Sequence, residues 1–142
     1  MDDTKLATIL FAESDPILLG LVSEGLALNH YHVLPAGTVV GIEQSSTAWP
    51  GKIDLLLIDF FDFLSDDRDF LQHLTARRRN LPVLLTGHWH IDSLLPNDQV
   101  LAAVNHYLRK PFSLAVLVEK IQSILHSPDA LEMEPLLLTS AS

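Results

Sequence analysis

Three short apolar runs limit the fold of this chain most strongly. They lie at residues 7–12 (ATILFA), 53–58 (IDLLLI) and 81–85 (LPVLL), and none of them alternates between apolar and polar residues. A strand with one face in water alternates, so runs without alternation indicate strands that are buried on both faces. Such strands belong to parallel sheets. Residues 31–35 and 106–108 are weaker candidates for two further strands.

Helical patterns lie between these runs. Asp15 followed by Pro16 is typical of a helix N-cap and first helical position, and Ser113 is a plausible cap for the last helix. We expect Arg77, Arg78 and Arg79 to form a solvated helix end, and Asp98 could cap a short helix through Val104. The predicted apolar faces consist of Leu18, Leu19, Val22, Leu26 and Leu28 in the first helix, Phe70, Leu71 and Leu74 in a middle helix, and Leu114, Leu117, Val118, Ile121, Ile124 and Leu125 in the last. Strands that alternate with helices predict an α/β fold with a five-stranded parallel sheet and helices on both faces.

Length and charge exclude several classes of protein. A chain of 142 residues suggests one domain, which we place at residues 1–126, with residues 127–142 as a linker or C-terminal tail. The net charge of −9 argues against nucleic-acid binding by this domain. The chain has no cysteine for a disulfide or thiolate site, and no apolar run approaches the roughly 18 residues that span a bilayer. We therefore expect no membrane contact and a cytoplasmic location.

Chemically active side chains follow the predicted strands. Glu13, Ser14 and Asp15 follow the first strand, Asp59 follows the third, and Thr86 and Gly87 end the fourth, while Lys110 and Pro111 come after the last. Ligands bind at the carboxyl ends of the strands in open parallel sheets. We therefore expect acids, a hydroxyl and an ammonium group to meet at one edge.

The segments ILFAESDP, DLLLID, PVLLTG and YLRKPF follow one another in the order and approximate spacing found in response regulator receiver domains. From about residue 6 to residue 125 the chain resembles this CheY-like superfamily. The resemblance implies a flavodoxin-like fold with strand order 2-1-3-4-5. It also implies that the partner is a histidine kinase or a phosphotransfer protein.

The resemblance further implies roles for individual residues. Asp59 would be the phosphoacceptor, a carboxylate that attacks a phosphohistidine of the partner. Lys110 and Thr86 would contact the phosphoryl oxygens. Tyr107 would be a switch residue that moves inward when Thr86 moves toward Asp59.

The family also binds Mg²⁺, and the implied ligands here are Glu13, Asp59 and the backbone carbonyl of Phe61. The second metal-binding acid of the family falls on Ser14, whose hydroxyl is a weak neutral ligand. Asp15 is adjacent, but we expect it to cap the first helix. The sequence therefore predicts weaker magnesium binding than is usual in the family. Phe61 would obstruct water, so we also expect an acyl phosphate on Asp59 to hydrolyse slowly.

Two functions remain open at this point. The first is a phosphorylatable signalling switch, in which the fourth helix, the last strand and the last helix form a face for a downstream effector or a homodimer. The second is a degenerate receiver that binds proteins without using phosphate. An unrelated flavodoxin-like enzyme would need a glycine-rich cofactor loop, which the sequence lacks, so we expect no enzyme. The sequence leaves open whether the chain stands alone or is a piece of a larger regulator.

Overall fold

A single parallel sheet organises the chain. The computed structural model describes residues 6–59, 69–78, 80–88 and 106–126. Within these ranges five strands pair in the order β2-β1-β3-β4-β5, and every pair is parallel. The strands are β1 (Thr8–Ala12), β2 (His32–Ala36), β3 (Leu55–Asp59), β4 (Val83–Gly87) and β5 (His106–Arg109). The predicted flavodoxin-like fold and its strand order are confirmed.

The predicted apolar runs begin two residues before strands β3 and β4 do. β3 begins at Leu55 rather than at residue 53, and β4 begins at Val83 rather than at residue 81. Asp54, which precedes β3, already has a partner, because its carboxylate accepts a hydrogen bond from the backbone N–H of Thr8. Pro82, which precedes β4, has no N–H to donate to a ladder. All residues of both strands are buried, as expected for central strands.

Four helices are described. They are α1 (Pro16–Leu28), α2 (Val39–Ala48), α3 (Asp69–Arg77) and α4, which covers residues 114–126. The Asp15 carboxylate accepts hydrogen bonds from the N–H groups of Ile17 and Leu18 at the start of α1. The Ser113 hydroxyl accepts one from the N–H of Val116 at the start of α4. Both predicted caps are confirmed.

Helices cover both faces of the sheet, as predicted. On one face, Ile42 of α2 and Leu74 of α3 pack with strand residues such as Leu10, Leu56 and Leu85. The other face is covered by α1 and α4, whose buried side chains pack with the alternate strand residues. This second cluster contains Val22, Leu26, Leu117 and Ile121 together with Ile9, Phe11, Leu55, Leu57 and Leu84. The core therefore has two layers, one on each face of the sheet.

The structure contains one helix that was not predicted, and it places some predicted side chains differently. Helix α2 was not predicted, because its buried positions are only Ile42 and Ser46, too few to form an apolar stripe. Leu28 does not face the core, since it is 75% exposed at the end of α1. Arg78 is not a merely solvated residue. Its guanidinium donates hydrogen bonds to the hydroxyl and carbonyl of Ser46 and to two further carbonyls.

Some predicted features lie outside the described residues. These are Phe61, Arg79, the helix predicted from Asp98 to Val104, and the tail at residues 127–142. In the part of the chain that is described, no helix has the length and apolar character needed to cross a membrane.

Candidate functional site

Asp59 is the last residue of β3 and is almost fully buried. The pairing of β3 with β4 sets Asp59 opposite Thr86. The Thr86 hydroxyl donates a long hydrogen bond of 3.5 Å to Asp59 Oδ2. The sheet register, rather than a flexible loop, thus brings the acid and the hydroxyl together.

Lys110 contacts the same acid from the end of the edge strand β5, which lies two strands away from β3 in the sheet. It follows β5, and its backbone N–H donates to the carbonyl of Gly87 at the end of β4, 2.7 Å away. Its peptide bond to Pro111 is cis. The ammonium Nζ lies 2.7 Å from Asp59 Oδ2. The structure therefore brings together the two residues on which the interpretation of the sequence most depended.

Glu13 completes the cluster. It follows β1, and its backbone N–H donates to the carbonyl of Ala36 at the end of β2. Its Oε1 lies 3.1 Å from Lys110 Nζ, and its Oε2 accepts a hydrogen bond of 3.3 Å from the N–H of Asp15. The direct contact between Glu13 and Lys110 was not predicted. The sequence indicates this contact only through the length of the Glu13 side chain, which is long enough to reach the ends of neighbouring strands.

Burial and ion pairing act in opposite directions on the pKa of Glu13 and on the pKa of Lys110. Burial raises the pKa of Glu13, although Lys110 opposes that shift. For Lys110, burial lowers the pKa, but the contacts with Asp59 and Glu13 outweigh burial, and the net result is a raised pKa. Lys110 therefore keeps its positive charge at neutral pH. With both acids ionised, the cluster carries two negative charges and one positive charge.

The residues beside Glu13 offer little to a metal ion. Ser14 is exposed and contributes only a hydroxyl, and the Asp15 carboxylate accepts the cap hydrogen bonds of α1. Among the described residues, no group of three or more His, Cys, Asp or Glu side chains could hold a metal. Glu13 and Asp59 do supply the hard oxygen ligands that Mg²⁺ prefers. These two carboxylates therefore fit a magnesium ion, and Lys110 contacts both of them.

Of the two remaining predicted residues, Tyr107 lies among the described residues and Phe61 does not. Tyr107 lies in β5 opposite Leu85, one position before the pair of Thr86 and Leu108, and it is 39% exposed. Phe61 lies outside the described residues.

An apolar cavity beside the cluster was not predicted from the sequence. Its volume is about 270 Å³, and Leu18, His88, Lys110, Pro111 and Phe112 line it. Its residues come from α1 and from the segments after β4 and β5, which are far apart in the sequence and show no shared pattern.

Comparison with known proteins gives a consistent result. No protein-family model matches the chain. The chain is 31% identical over 139 residues to the transcriptional regulatory protein VxrB of Vibrio cholerae. That match covers 94% of this chain and 52% of VxrB, so the chain spans about half the length of this relative.

Solved structures agree with the fold. A response regulator receiver domain protein from Clostridium thermocellum has a TM-score of 0.73 and 20% identity, over 89% of this chain and 99% of that one. The response regulator TrrA from Thermotoga maritima, in complex with Mg²⁺-BeF, has a TM-score of 0.68 and 19% identity, over 84% of this chain and all of the other. The chain therefore has the flavodoxin-like fold of response regulator receiver domains, and its sequence is similar to part of a response regulator.

Proposed function

We propose that this chain is a phosphorylatable switch that accepts a phosphoryl group on Asp59 from a histidine kinase or a phosphotransfer protein. The observation that carries the proposal is the contact of 2.7 Å between Lys110 Nζ and Asp59 Oδ2 at the carboxyl edge of the sheet. A buried acid and a fixed cation at that edge suit chemistry that depends on positioning and charge neutralisation.

The proposed step is a direct transfer. A carboxylate oxygen of Asp59 forms a bond to phosphorus, the bond from phosphorus to the imidazole nitrogen breaks, and its electron pair stays on the imidazole. The product is an acyl phosphate. Lys110 would neutralise charge on the transferred oxygens as a compact point charge, and the Thr86 hydroxyl would donate a hydrogen bond to one of them.

Magnesium is the cofactor that we propose for this site. Glu13, Asp59 and the backbone carbonyl of Phe61 would hold it, whereas Ser14 is a doubtful ligand. When bound, the ion would supply charge neutralisation at the phosphoryl oxygens. The complex of TrrA with Mg²⁺-BeF supports magnesium binding in domains of this fold.

The output would be a change of shape. Movement of Thr86 toward a phosphoryl group on Asp59 would free space for Tyr107 and reshape the face formed by the helix predicted between β4 and β5, by β5 and by α4. We propose this face as the contact for a downstream effector or a second copy of the chain. We propose that the domain acts in the cytoplasm as a switch. The proposed role involves neither nucleic-acid binding by this domain nor enzymatic activity.

A second function is favoured by the residues beside Glu13. Ser14 replaces an expected acid, and the Asp15 carboxylate caps α1. A degenerate receiver that binds proteins without phosphate would show the same fold with these changes.

Acetyl phosphate with Mg²⁺ separates the two functions. A switch should gain the mass of one phosphoryl group, and Asp59→Asn should abolish the gain. Glu43→Gln, which changes an exposed acid on α2, should leave the gain intact. If neither acetyl phosphate nor a phosphorylated histidine kinase adds mass to the parent protein, the degenerate receiver is the correct function.

A further inference from the structure

We propose that the acidic C-terminal segment, residues 127–142, docks within its own chain in a groove along α2 that carries Arg77 at one end. We call this groove the α2 groove. The proposed function gives no role to the α2 groove or to the C-terminal segment, and their contact does not depend on phosphorylation of Asp59.

The α2 groove runs along the exposed side of α2. Its volume is about 490 Å³, and a second cavity of about 350 Å³ shares Thr47 and Arg77 with it. Val40, near the start of α2, is 60% exposed and gives the groove an apolar end. The lining residues recur at helical spacing along α2 and finish at the end of α3: Val40, Glu43, Gln44, Thr47, Ala48 and Arg77. The groove therefore has the shape of a track for an extended peptide.

Arg77 gives the α2 groove a positive charge that no described carboxylate contacts. Among the described residues its guanidinium makes one hydrogen bond, a long one of 3.5 Å to the Thr47 hydroxyl. Arg78 adds a second positive charge beside it, although Ser46 and two loop carbonyls accept its N–H groups. Glu43 is the acid of the groove itself. A carboxylate that entered at Arg77 would form a charge-assisted hydrogen bond there.

The C-terminal segment has the composition that complements the α2 groove. It reads SPDALEMEPLLLTSAS and contains three acids but no lysine or arginine. Two of the acids, Glu132 and Glu134, come directly before the three leucines at 136–138. The segment therefore presents negative charge first and apolar side chains second.

The order of these side chains matches the order of the groove. Thr47 and Arg77 lie at the end of α2, and Val40 lies at its start. From Thr47 back to Val40 the helix rises about 10 Å, a distance that about three extended residues cover. A segment that pairs Glu134 with Arg77 would therefore place Leu137 near Val40.

The position of α4 brings the C-terminal segment to the correct edge of the sheet. Each helix runs back against the parallel strands, so α2, α3 and α4 all end at the edge where the strands begin. The centres of helices on opposite faces of a sheet lie about 20 Å apart, since a helix with its side chains is about 10 Å across. Glu134 follows the last helical residue, His126, by eight positions, which span about 27 Å when extended. Glu134 can therefore reach Arg77 within one chain.

The test uses all 142 residues and exploits the absence of cysteine from the chain. A nitroxide spin label is attached to Thr139→Cys, and amide signals of the ¹⁵N-labelled protein are compared before and after reduction of the label. Docking should broaden the signals of Val40 and Thr47 more than those of Ile17 and Leu21, which lie on the exposed apolar side of α1. Broadening without this preference, or stronger broadening on α1, would overturn the proposal.

Two single-charge substitutions in the α2 groove should act in opposite directions. Arg77→Gln should lower the ratio of docked to free segment by about two- to fivefold, the range for one exposed ion pair. Glu43→Gln should raise that ratio by a similar factor, because it removes a charge that repels the segment. Arg109→Gln, which changes an exposed arginine at the opposite edge of the sheet, should leave the broadening unchanged. Effects of the same sign, or no effect, in the two groove variants would show that charge does not hold the segment.

Three further measurements complete the test. Glu132→Gln combined with Glu134→Gln should release the segment without altering any described residue. Raising NaCl from about 0.1 M to about 1 M shortens the Debye length from about 10 Å to about 3 Å and should also release it. In a mixture of spin-labelled ¹⁴N protein with unlabelled ¹⁵N protein, broadening as strong as in the single protein would mean that a second copy supplies the segment, and docking within one chain would be wrong. Labelling of Asp59 by acetyl phosphate tests the proposed function separately.

Discussion

Arg78 shows how much one side chain can stabilise in this fold. It follows α3, and its planar guanidinium reaches the carbonyls of Ser46, Trp49 and Gly51, which lie near the end of α2 and in the following loop. Carbonyls near the end of a helix lack partners within the helix and need donors from elsewhere. The neighbouring Arg77 is exposed, and among the described residues its guanidinium makes one hydrogen bond, of 3.5 Å, to the Thr47 hydroxyl. Two adjacent arginines therefore have very different roles.

Substitution of these two arginines should separate their roles. Arg78→Ala should lower the free energy of unfolding by about 2–3 kcal/mol, because several acceptors lose a charged donor. Arg78→Lys should recover less than half, since an ammonium cannot reproduce the fork of N–H groups. Arg77→Ala should change stability by less than about 0.5 kcal/mol. Urea unfolding measures all three, and equal losses for Arg77→Ala and Arg78→Ala would contradict this account.

Tyr31 presents the opposite case, because its polar hydroxyl is buried away from any hydrogen-bond partner among the described residues. It is 1% exposed within the cluster shared by α1 and α4, and its hydroxyl has no hydrogen-bond partner in the described part of the chain. Burial also raises the pKa of this phenol.

Tyr31→Phe should therefore leave stability unchanged or raise it by up to about 1 kcal/mol, because an unsatisfied hydroxyl is removed. Tyr31→Ala should cost roughly 3–5 kcal/mol through the cavity that it leaves. Chemical denaturation of both variants gives the comparison. A loss of more than about 1 kcal/mol in Tyr31→Phe would show that the hydroxyl has a partner.

At the scale of elements, α1 connects the site to the core. The helix begins at Pro16, three residues after Glu13, and its cap, Asp15, donates its backbone N–H to Glu13 Oε2. Val22 and Leu26 bury its inner face, while Ile17 and Leu21 are mostly exposed. The helix start therefore helps to position an acid of the site, and its cap can be altered without touching the core.

Asp15→Ala should lower the free energy of unfolding by about 0.5–2 kcal/mol, as the loss of an N-cap does. Asp15→Asn should retain most of the stability, because asparagine caps a helix about equally well. The measurement is again equilibrium unfolding. Equal losses in the two variants would mean that the charge of Asp15, rather than its cap geometry, stabilises α1.

The elements differ in how well the sequence predicted them. The buried strands were clear because their apolar runs are uninterrupted, and α1 and α4 were clear because each has a cap followed by an apolar stripe. Helix α2 was missed because Ile42 is its only buried apolar side chain. Its stability depends on packing against the sheet, which no local pattern reveals.

The site shows the same division. The meeting of Asp59, Thr86 and Lys110 could be predicted, because parallel strands end at one edge. The bridge from Lys110 to Glu13 could not be predicted, since it depends on the reach of two long side chains whose conformations the strands do not fix.

At the scale of the whole molecule, the sheet is covered on both faces and the surface is acidic. The chain carries a net charge of −9 and has an isoelectric point near 5.0. Lowering the pH toward the isoelectric point reduces the net negative charge of the chain. It also favours protonation of partly buried groups whose neutral form is more stable in the folded chain. His106, in the edge strand β5, is such a group: burial lowers its pKa, and Lys120 lowers it further.

The sign of the pH effect follows from His106. Below its ordinary value of 6.5, the unfolded chain binds a proton that the folded chain resists. Stability should therefore fall as the pH decreases from about 7.5 to about 5.5, and His106→Gln should show a smaller fall. Urea unfolding of both proteins at the two pH values measures the difference. Identical falls would show that other groups account for the effect.

The ion bridge at the strand ends has a consequence for how the molecule is made. Glu13 and Lys110 are 97 positions apart, and Asp59 lies between them in the sequence. A growing or truncated polypeptide that stops before β5 carries both acids but lacks the cation that holds them together. The Asp59 carboxylate thus acquires its ion pair with Lys110 only when β5 has joined the sheet, so the cluster is completed together with the sheet.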